Sequence, residues 1–324
     1  MGSIPTPSAS KTRHIYGVFY FFRRRVVRLV PMDVRFLPAL TCSVFLAMLQ
    51  LPMPILREKH PLLYSLNLER HRMTRTARHL MSRTRFSNVR HETRKTDRIF
   101  AHKSLLLRKL GDTDMRLQVN KVTNLRIAAE KLNGLLIRPG ETFSFWRSIG
   151  RPTESEGYLT GMLLADGAVK EGIGGGLCQM ANLLYWMALH SPLTVVERHH
   201  HSLDVFPDSG RTLPFGSGAS VFFNYIDLQF RNDTATTFRL RVWVDTHHLH
   251  GELHVDALPA LAYHVEERDH RFFKDADNAW WRENRLHRIS IDRRTGKVVQ
   301  DSLIAHNIAK VLYSMDSASE ASST

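Results

Sequence analysis

Gly172-Ile173-Gly174-Gly175-Gly176-Leu177-Cys178-Gln179-Met180-Ala181-Asn182-Leu183-Leu184-Tyr185-Trp186-Met187-Ala188-Leu189 is the stretch on which the fold reading turns. Its glycines predict a loop in which no β-carbon blocks close backbone approach. The segment after Cys178 reads as a helix with Leu183, Leu184, Met187 and Ala188 on one face. It should stop at His190-Ser191-Pro192, because proline disfavours helix in the residue before it. A thiol at a loop-to-helix junction feels the positive end of the helix dipole, which favours thiolate. Downstream, Arg198-His199-His200-His201-Ser202 falls in Thr194 to Phe206, which reads as a strand. Period-two geometry puts His199 and His201 on one face and His200 on the other.

Working outward, Asn120 to Gly134 has apolar residues at spacings of three and four, the mark of an amphipathic helix that Gly134 would end. Pro139-Gly140 signals a turn, and Glu141 to Trp146 alternates as a strand should. Asp166-Gly167 reads as a hairpin turn within Tyr158 to Val169. Beyond Gly216 the chain looks purely β, with strands expected at Val221–Phe230, Phe238–Val244, Leu249–Val255, Arg288–Ile291 and Val298–Leu303. The expected class is therefore α+β, a mixed domain in which the helix after the Gly-rich loop and Cys178 packs on mostly antiparallel sheet, with a β-rich C-terminal half.

The charge is uneven. Residues 1–110 hold 22 Lys+Arg against 5 Asp+Glu, leaving 23 against 26 for the rest of the 324 residues. Residues 1–56 form a basic and apolar N-terminal extension. Within it Phe36 to Leu56 is a 21-residue run without a formal charge. That length matches a membrane span, and the basic flank suits a signal-anchor. Pro38, Pro52, Pro54 and Gln50 speak against it, and an extension foreign to the mature protein or a buried amphipathic segment are the alternatives. Residues 57–110 are basic and expected to be largely helical, a segment that would lie on an anionic membrane surface. Nucleic acid is not the expected partner, since no nucleic-acid module accompanies the charge. The main domain is placed at 111–314 and a frayed polar tail at 315–324. The side of the membrane stays open, with a cytoplasmic location as the alternative to an anchored one. Oligomeric state is not readable. The two cysteines, Cys42 and Cys178, suggest no disulfide framework, and no zinc spacing appears.

From about residue 103 to 315 the chain resembles the VanW family, named for the accessory protein W of B-type vancomycin-resistance clusters. The carrying segments are Arg138-Pro139-Gly140-Glu141-Thr142-Phe143-Ser144-Phe145, Gly157-Tyr158, the run from Gly172 to Leu189, Glu197 to Ser202, and Phe206 to Gly218. The family's Gly-Gly-Gly-x-Cys-Gln pattern lands on Gly174, Gly175, Gly176, Cys178 and Gln179. Its Arg-His-x-His-Ser pattern lands on Arg198, His199, His201 and Ser202, with His200 at the variable place. The resemblance implies an association with the cell envelope and glycopeptide resistance. It supplies no reaction, and it does not cover residues 1–56.

These residues support two functions. In the first, a thiol hydrolase or acyltransferase acts on cell-wall peptide or its precursor. Cys178 is then the nucleophile and His199 or His201 the base, oriented by Asp204 or Asp208. Gln179 and the backbone N–H groups at the helix start hold an oxyanion, and Arg198 or Arg211 receives a carboxylate. In the second, a non-catalytic envelope module binds the same precursor. The loop Gly174–Gly176 cradles an anionic group, with His199, His201 and Arg211 in recognition and Cys178 packed beneath. Ser202 joins the candidate binding set through the family pattern. No cofactor is expected, and no metal is assigned. A site built from His199, His201 and a histidine such as His190 is the alternative considered, and 18 histidines make chance clusters common.

Overall fold

The helix after the glycine loop spans Cys178–Leu189, and nearly every side chain from Met180 onward is buried. A helix apolar on all sides belongs in the middle of a core rather than on its surface. The computed structural model describes residues 61–90, 96–108, 114–165, 168–200, 203–205, 208 and 212–314, all within the unit Leu51–Thr324.

In chain order the elements begin with α1 (Pro61–Met81), β1 (Arg85–Phe86), β2 (Asp97–Leu105), α2 (Met115–Leu132), β3 (Leu136–Ile137), β4 (Glu141–Ser144) and α3 (Phe145–Ile149). The hairpin β5 (Thr160–Ala165) and β6 (Ala168–Ile173) precedes α4 (Cys178–Leu189), β7 (Thr194–Glu197) and β8 (Leu203–Asp204). Then come β9 (Gln229–Arg231), β10 (Phe238–Val244), β11 (His248–Val255), β12 (Leu261–Lys274), β13 (Trp280–Asp292) and β14 (Val298–Val311). The described strands form three four-stranded sheets, ordered β1-β4-β9-β7, β2-β11-β10-β3 and β12-β13-β14-β8, beside the β5–β6 hairpin. Pairing is antiparallel except for β1 with β4 and β8 with β14, so the protein is α+β with a mostly antiparallel, β-rich C-terminal half.

Two helices position the site. α2 begins at Met115, not Asn120, because the Asp114 carboxylate accepts from the Arg116 N–H at 2.8 Å and caps it. Leu117, Lys121, Leu125, Ala128 and Leu132 form its buried face. α4 packs on β2 and β11, and a β-carbon at Gly251 would meet Met187 Sδ at 2.5 Å, so the helix lies directly on the sheet there. In the glycine loop, a β-carbon at Gly175 would stand 2.1 Å from the Gly161 carbonyl carbon. Gly176 holds φ +92° against the Lys121 side chain. No larger residue suits either place.

The structure departs from the expected strands where side chains compete with the ladder. The strand expected over Glu141–Trp146 ends at Ser144, whose hydroxyl accepts from the Arg147 N–H at 3.3 Å and starts α3. The strand expected over Thr194–Phe206 is two short pieces. Its register slips against β9 between Val195 and Glu197, and an isolated bridge joins His199 to Ser220. Within Val221–Phe230, Phe222–Ile226 is a tight turn with Asn224 at φ 45°, and only β9 is strand. Among the described residues of 57–110, helix is confined to α1. Asp97–Leu105 pairs with β11 along its length, because alternation of Ile99, Ala101 and Lys103 with Phe100, His102 and Ser104 suits a strand. β12 has no counterpart among the expected strands, and β13 and β14 extend well beyond the residues expected for them.

Among the described residues no helix is long and apolar enough to cross a membrane. The run Phe36–Leu56, the turn Asp166-Gly167 and the tail 315–324 lie outside the described residues.

Candidate functional site

The glycine loop, the start of α4, β2, α2 and the segment 212–220 surround a cavity of about 330 Å³. Cys178 lines it. Its Sγ faces the Val221 carbonyl oxygen at 3.9 Å, and burial pushes the thiol up from its ordinary range while that contact opposes the rise. The group at neutral pH is therefore a thiol. Desolvation of the sulfur outweighs whatever the helix start offers a thiolate.

The histidine geometry differs from the strand-face expectation. His199 is exposed, and its Nε2 lies 3.1 Å from Glu197 Oε1. Glu197 is itself gripped by both Nη atoms of Arg75 on α1, at 2.8 and 2.7 Å. His200, not His199, lines the cavity with Cys178. The register slip after Val195 and the single bridge at His199 explain the change, since period two holds only along a continuous ladder. Burial, then Arg198 and His199, lower the His200 pKa. His201, Ser202 and Arg211 lie outside the described residues.

A second histidine arrives from β2. His102 lines the cavity, its Nε2 is buried with no hydrogen-bond partner among the described residues, and burial lowers its pKa. Sequence reasoning missed it because the pairing that turns it inward joins β2 to β11, far along the chain. Lys121 was also missed. It is 5% exposed, donates from Nζ to Gln118 Oε1 at 2.7 Å, and lines the same cavity. Burial, with a smaller push from Arg108, lowers its pKa to about 8. The signal was available, since Lys121 stands four before Leu125 on the buried stripe of α2.

Other candidates are engaged in building the walls. Gln179 donates from Nε2 to Ser104 Oγ at 2.9 Å and to the Leu105 carbonyl at 2.7 Å, fastening α4 to β2. Arg198 donates to the carbonyls of Gly216 and, at 3.0 Å, Gly218, with its guanidinium 5.0 Å above the Tyr185 ring. It clamps the segment that closes the cavity. Gly174 and Gly175 are buried, and Gly176 lines the cavity. Asp204 and Asp208 are both held by Arg282, at 3.2 and 2.9 Å, and neither is bonded to His199. His190 is buried, stacks on Phe100 at 4.2 Å and bonds the Trp186 carbonyl at 2.9 Å. Burial pushes its pKa down to about 4, so it is a neutral structural ring and is not gathered with His199.

The arrangement defines an α+β protein with a pocket at a Gly-Gly-Gly-x-Cys-Gln loop, lined by a neutral thiol, two imidazoles and a buried ammonium. The family model described as VanW like protein matches residues 120–254. The vancomycin B-type resistance protein VanW of Enterococcus faecalis is 36% identical over 200 residues, 62% of this chain and 72% of that protein. The chain belongs to the VanW family. The uncharacterized protein YoaR of Bacillus subtilis is 30% identical over 109 residues, 34% of each chain. No solved structure matches the chain.

Proposed function

We propose that this chain is an envelope-associated accessory protein of glycopeptide resistance whose cavity binds the carboxylate end of a cell-wall peptide or its precursor. The observation that carries the reading is Lys121. It is a buried ammonium at the cavity wall whose hydrogen bond goes to a neutral amide and whose charged neighbour, Arg108, has the same sign. An anion entering the cavity would meet the Lys121 ammonium in a poorly solvated place, where a charge-assisted hydrogen bond is strong. The kinship with a vancomycin-resistance protein supports the wall peptide as the source of that carboxylate. The exposed apolar residues of basic α1 support contact with an anionic membrane surface.

A second reading keeps Cys178 as a nucleophile. Its support is the neutral His102 and His200 on the same cavity wall, either of which would serve as base. The raised pKa of the thiol favours the binding reading.

Calorimetric titration of the full chain with wall-derived peptides ending in a free carboxylate or an amide separates the outcomes. The binding reading expects saturable binding of the acid form and at least tenfold weaker binding of the amide. It also expects a large loss in Lys121→Met and retained affinity in Cys178→Ser. Release of a peptide fragment, or a covalent adduct on Cys178 seen by mass spectrometry and absent in Cys178→Ser, would transfer the case to the thiol enzyme. Equal affinity for acid and amide, or none for either, sinks the carboxylate reading.

A further inference from the structure

The turn between β10 and β11 and the start of β11 carry Asp245-Thr246-His247-His248-Leu249-His250. His248 and His250 lie two apart on β11 and so share a face of the sheet. Trp243 is opposite His250 in register, and the two rings stack 4.8 Å apart at an interplanar angle of 3°. That contact fixes the His250 ring. The Asp245 carboxylate is fixed as well, since its Oδ1 accepts from the backbone N–H groups of His247 and His248 at 2.7 and 2.6 Å. Its Oδ2 then lies 2.6 Å from His250 Nε2, while Oδ1 lies 3.9 Å from His248 Nδ1. One donor atom from each of the three residues falls within 4.8 Å of the other two.

We propose that Asp245, His248 and His250 form a binding site for a divalent transition-metal ion of the zinc type. Two imidazoles and one carboxylate are a borderline donor set, which suits zinc better than calcium or magnesium. Ligand bonds of about 2.0–2.2 Å place tetrahedral donors roughly 3.3–3.5 Å apart. The three groups therefore need adjustments of about an ångström at side-chain ends to close on an ion. The ion would take the place of the proton between Asp245 and His250. The backbone N–H groups on Asp245 and the Trp243 stack supply the outer support that metal ligands need. Lys103 is opposite His250 on β2, but it is exposed and its ammonium is free to extend into water. Three protein ligands leave one position for water or a ligand atom from outside. The site uses no residue of the Cys178 cavity, so it stands or falls independently of the reading given to that cavity.

The test uses the untagged, chelator-treated full chain, titrated calorimetrically with Zn²⁺, with Co²⁺ absorption as a report on coordination. The expected result is one saturable Zn²⁺ equivalent per chain and a four-coordinate Co²⁺ spectrum. His248→Ala and His250→Gln should each weaken binding at least tenfold, with His102→Ala unchanged. Thermal melts of the metal-free variants check that they fold, and His248→Gln serves if His248→Ala does not. No saturable Zn²⁺ equivalent, or an affinity that survives both His248 and His250 substitutions in folded protein, overturns the proposal.

Discussion

Lys121 is only 5% exposed, and its ammonium donates to the neutral amide of Gln118. Its pKa of about 8 in the folded protein lies below the unfolded value of about 10.4. Between those values the unfolded chain binds a proton that the folded chain does not, so this group makes stability rise with pH across that window. Below pH 8 both states are charged and the burial cost is fully present, at most roughly 3 kcal/mol. Lys121→Met should therefore stabilise the protein by about 1–3 kcal/mol at pH 7 and flatten the rise above pH 8, read by urea unfolding at several pH values. Peptide affinity should meanwhile fall as the wild type is taken through pH 8. A variant no more stable than wild type would mean that the charge is compensated and that the cavity is not poised for an anion. At this scale the sequence shows Cys178, Gln179 and the glycines plainly, because their types are unusual for a helix start. It shows Lys121 only to a reader who lets a lysine stand on an apolar stripe. His102 is illegible, since the sheet neighbour that gives it its place lies near residue 251.

Elements are legible where one periodicity governs them. α2 and β10 follow their apolar spacing to within a few residues because the same face is buried throughout, and α4 does so because nearly all of it is buried. The sequence pattern makes β7 too long because side chains such as Glu197 take partners outside the ladder. α1 is the mixed case. Arg72 and Arg75 bind the Phe223 and Tyr225 carbonyls at 3.2 and 3.0 Å, fastening one face to the core. Leu62, Leu66, Met73 and Leu80 return at intervals of four and seven on the opposite face, and each is more than half exposed. Exposed Arg70 borders this stripe. A basic helix with an apolar outer stripe is suited to an anionic interface, where apolar insertion and charge attraction add. Co-sedimentation of the full chain with vesicles containing phosphatidylglycerol should exceed that with phosphatidylcholine alone. Leu66→Asp with Met73→Asp should reduce the anionic-vesicle fraction several-fold while far-UV circular dichroism stays unchanged. Sedimentation indifferent to that pair in a folded protein would detach the stripe from any lipid role.

On the scale of the whole molecule, the residues that match the family model end at 254, yet the segment 212–220 that lines the cavity is braced by strands beyond them. Asn284 on β13 donates to the Phe215 carbonyl at 2.8 Å, and Asn307 on β14 presses on Gly216 so closely that a β-carbon there would sit 2.1 Å away. Arg282 binds Asp204 and Asp208 and lies between the rings of Phe215 and Phe272, at 4.6 and 5.1 Å. Contacts of this kind join segments tens of residues apart, and local pattern cannot announce them. The buried pair of Arg282 with Asp204 then predicts how the cavity fails. Arg282→Met removes the guanidinium from the buried Asp204 carboxylate, a loss of about 3–5 kcal/mol by analogy with other broken buried pairs. The deficit of Arg282→Met relative to wild type is read at pH 7 by thermal melts. Adding Asp204→Asn removes the stranded charge, keeps an acceptor for the Tyr313 hydroxyl, and should recover most of the loss at pH 7. A double variant as unstable as Arg282→Met would assign the damage to lost packing between Phe215 and Phe272 instead of to the charge. In that case peptide binding should be lost through movement of the 212–220 segment whatever the pH.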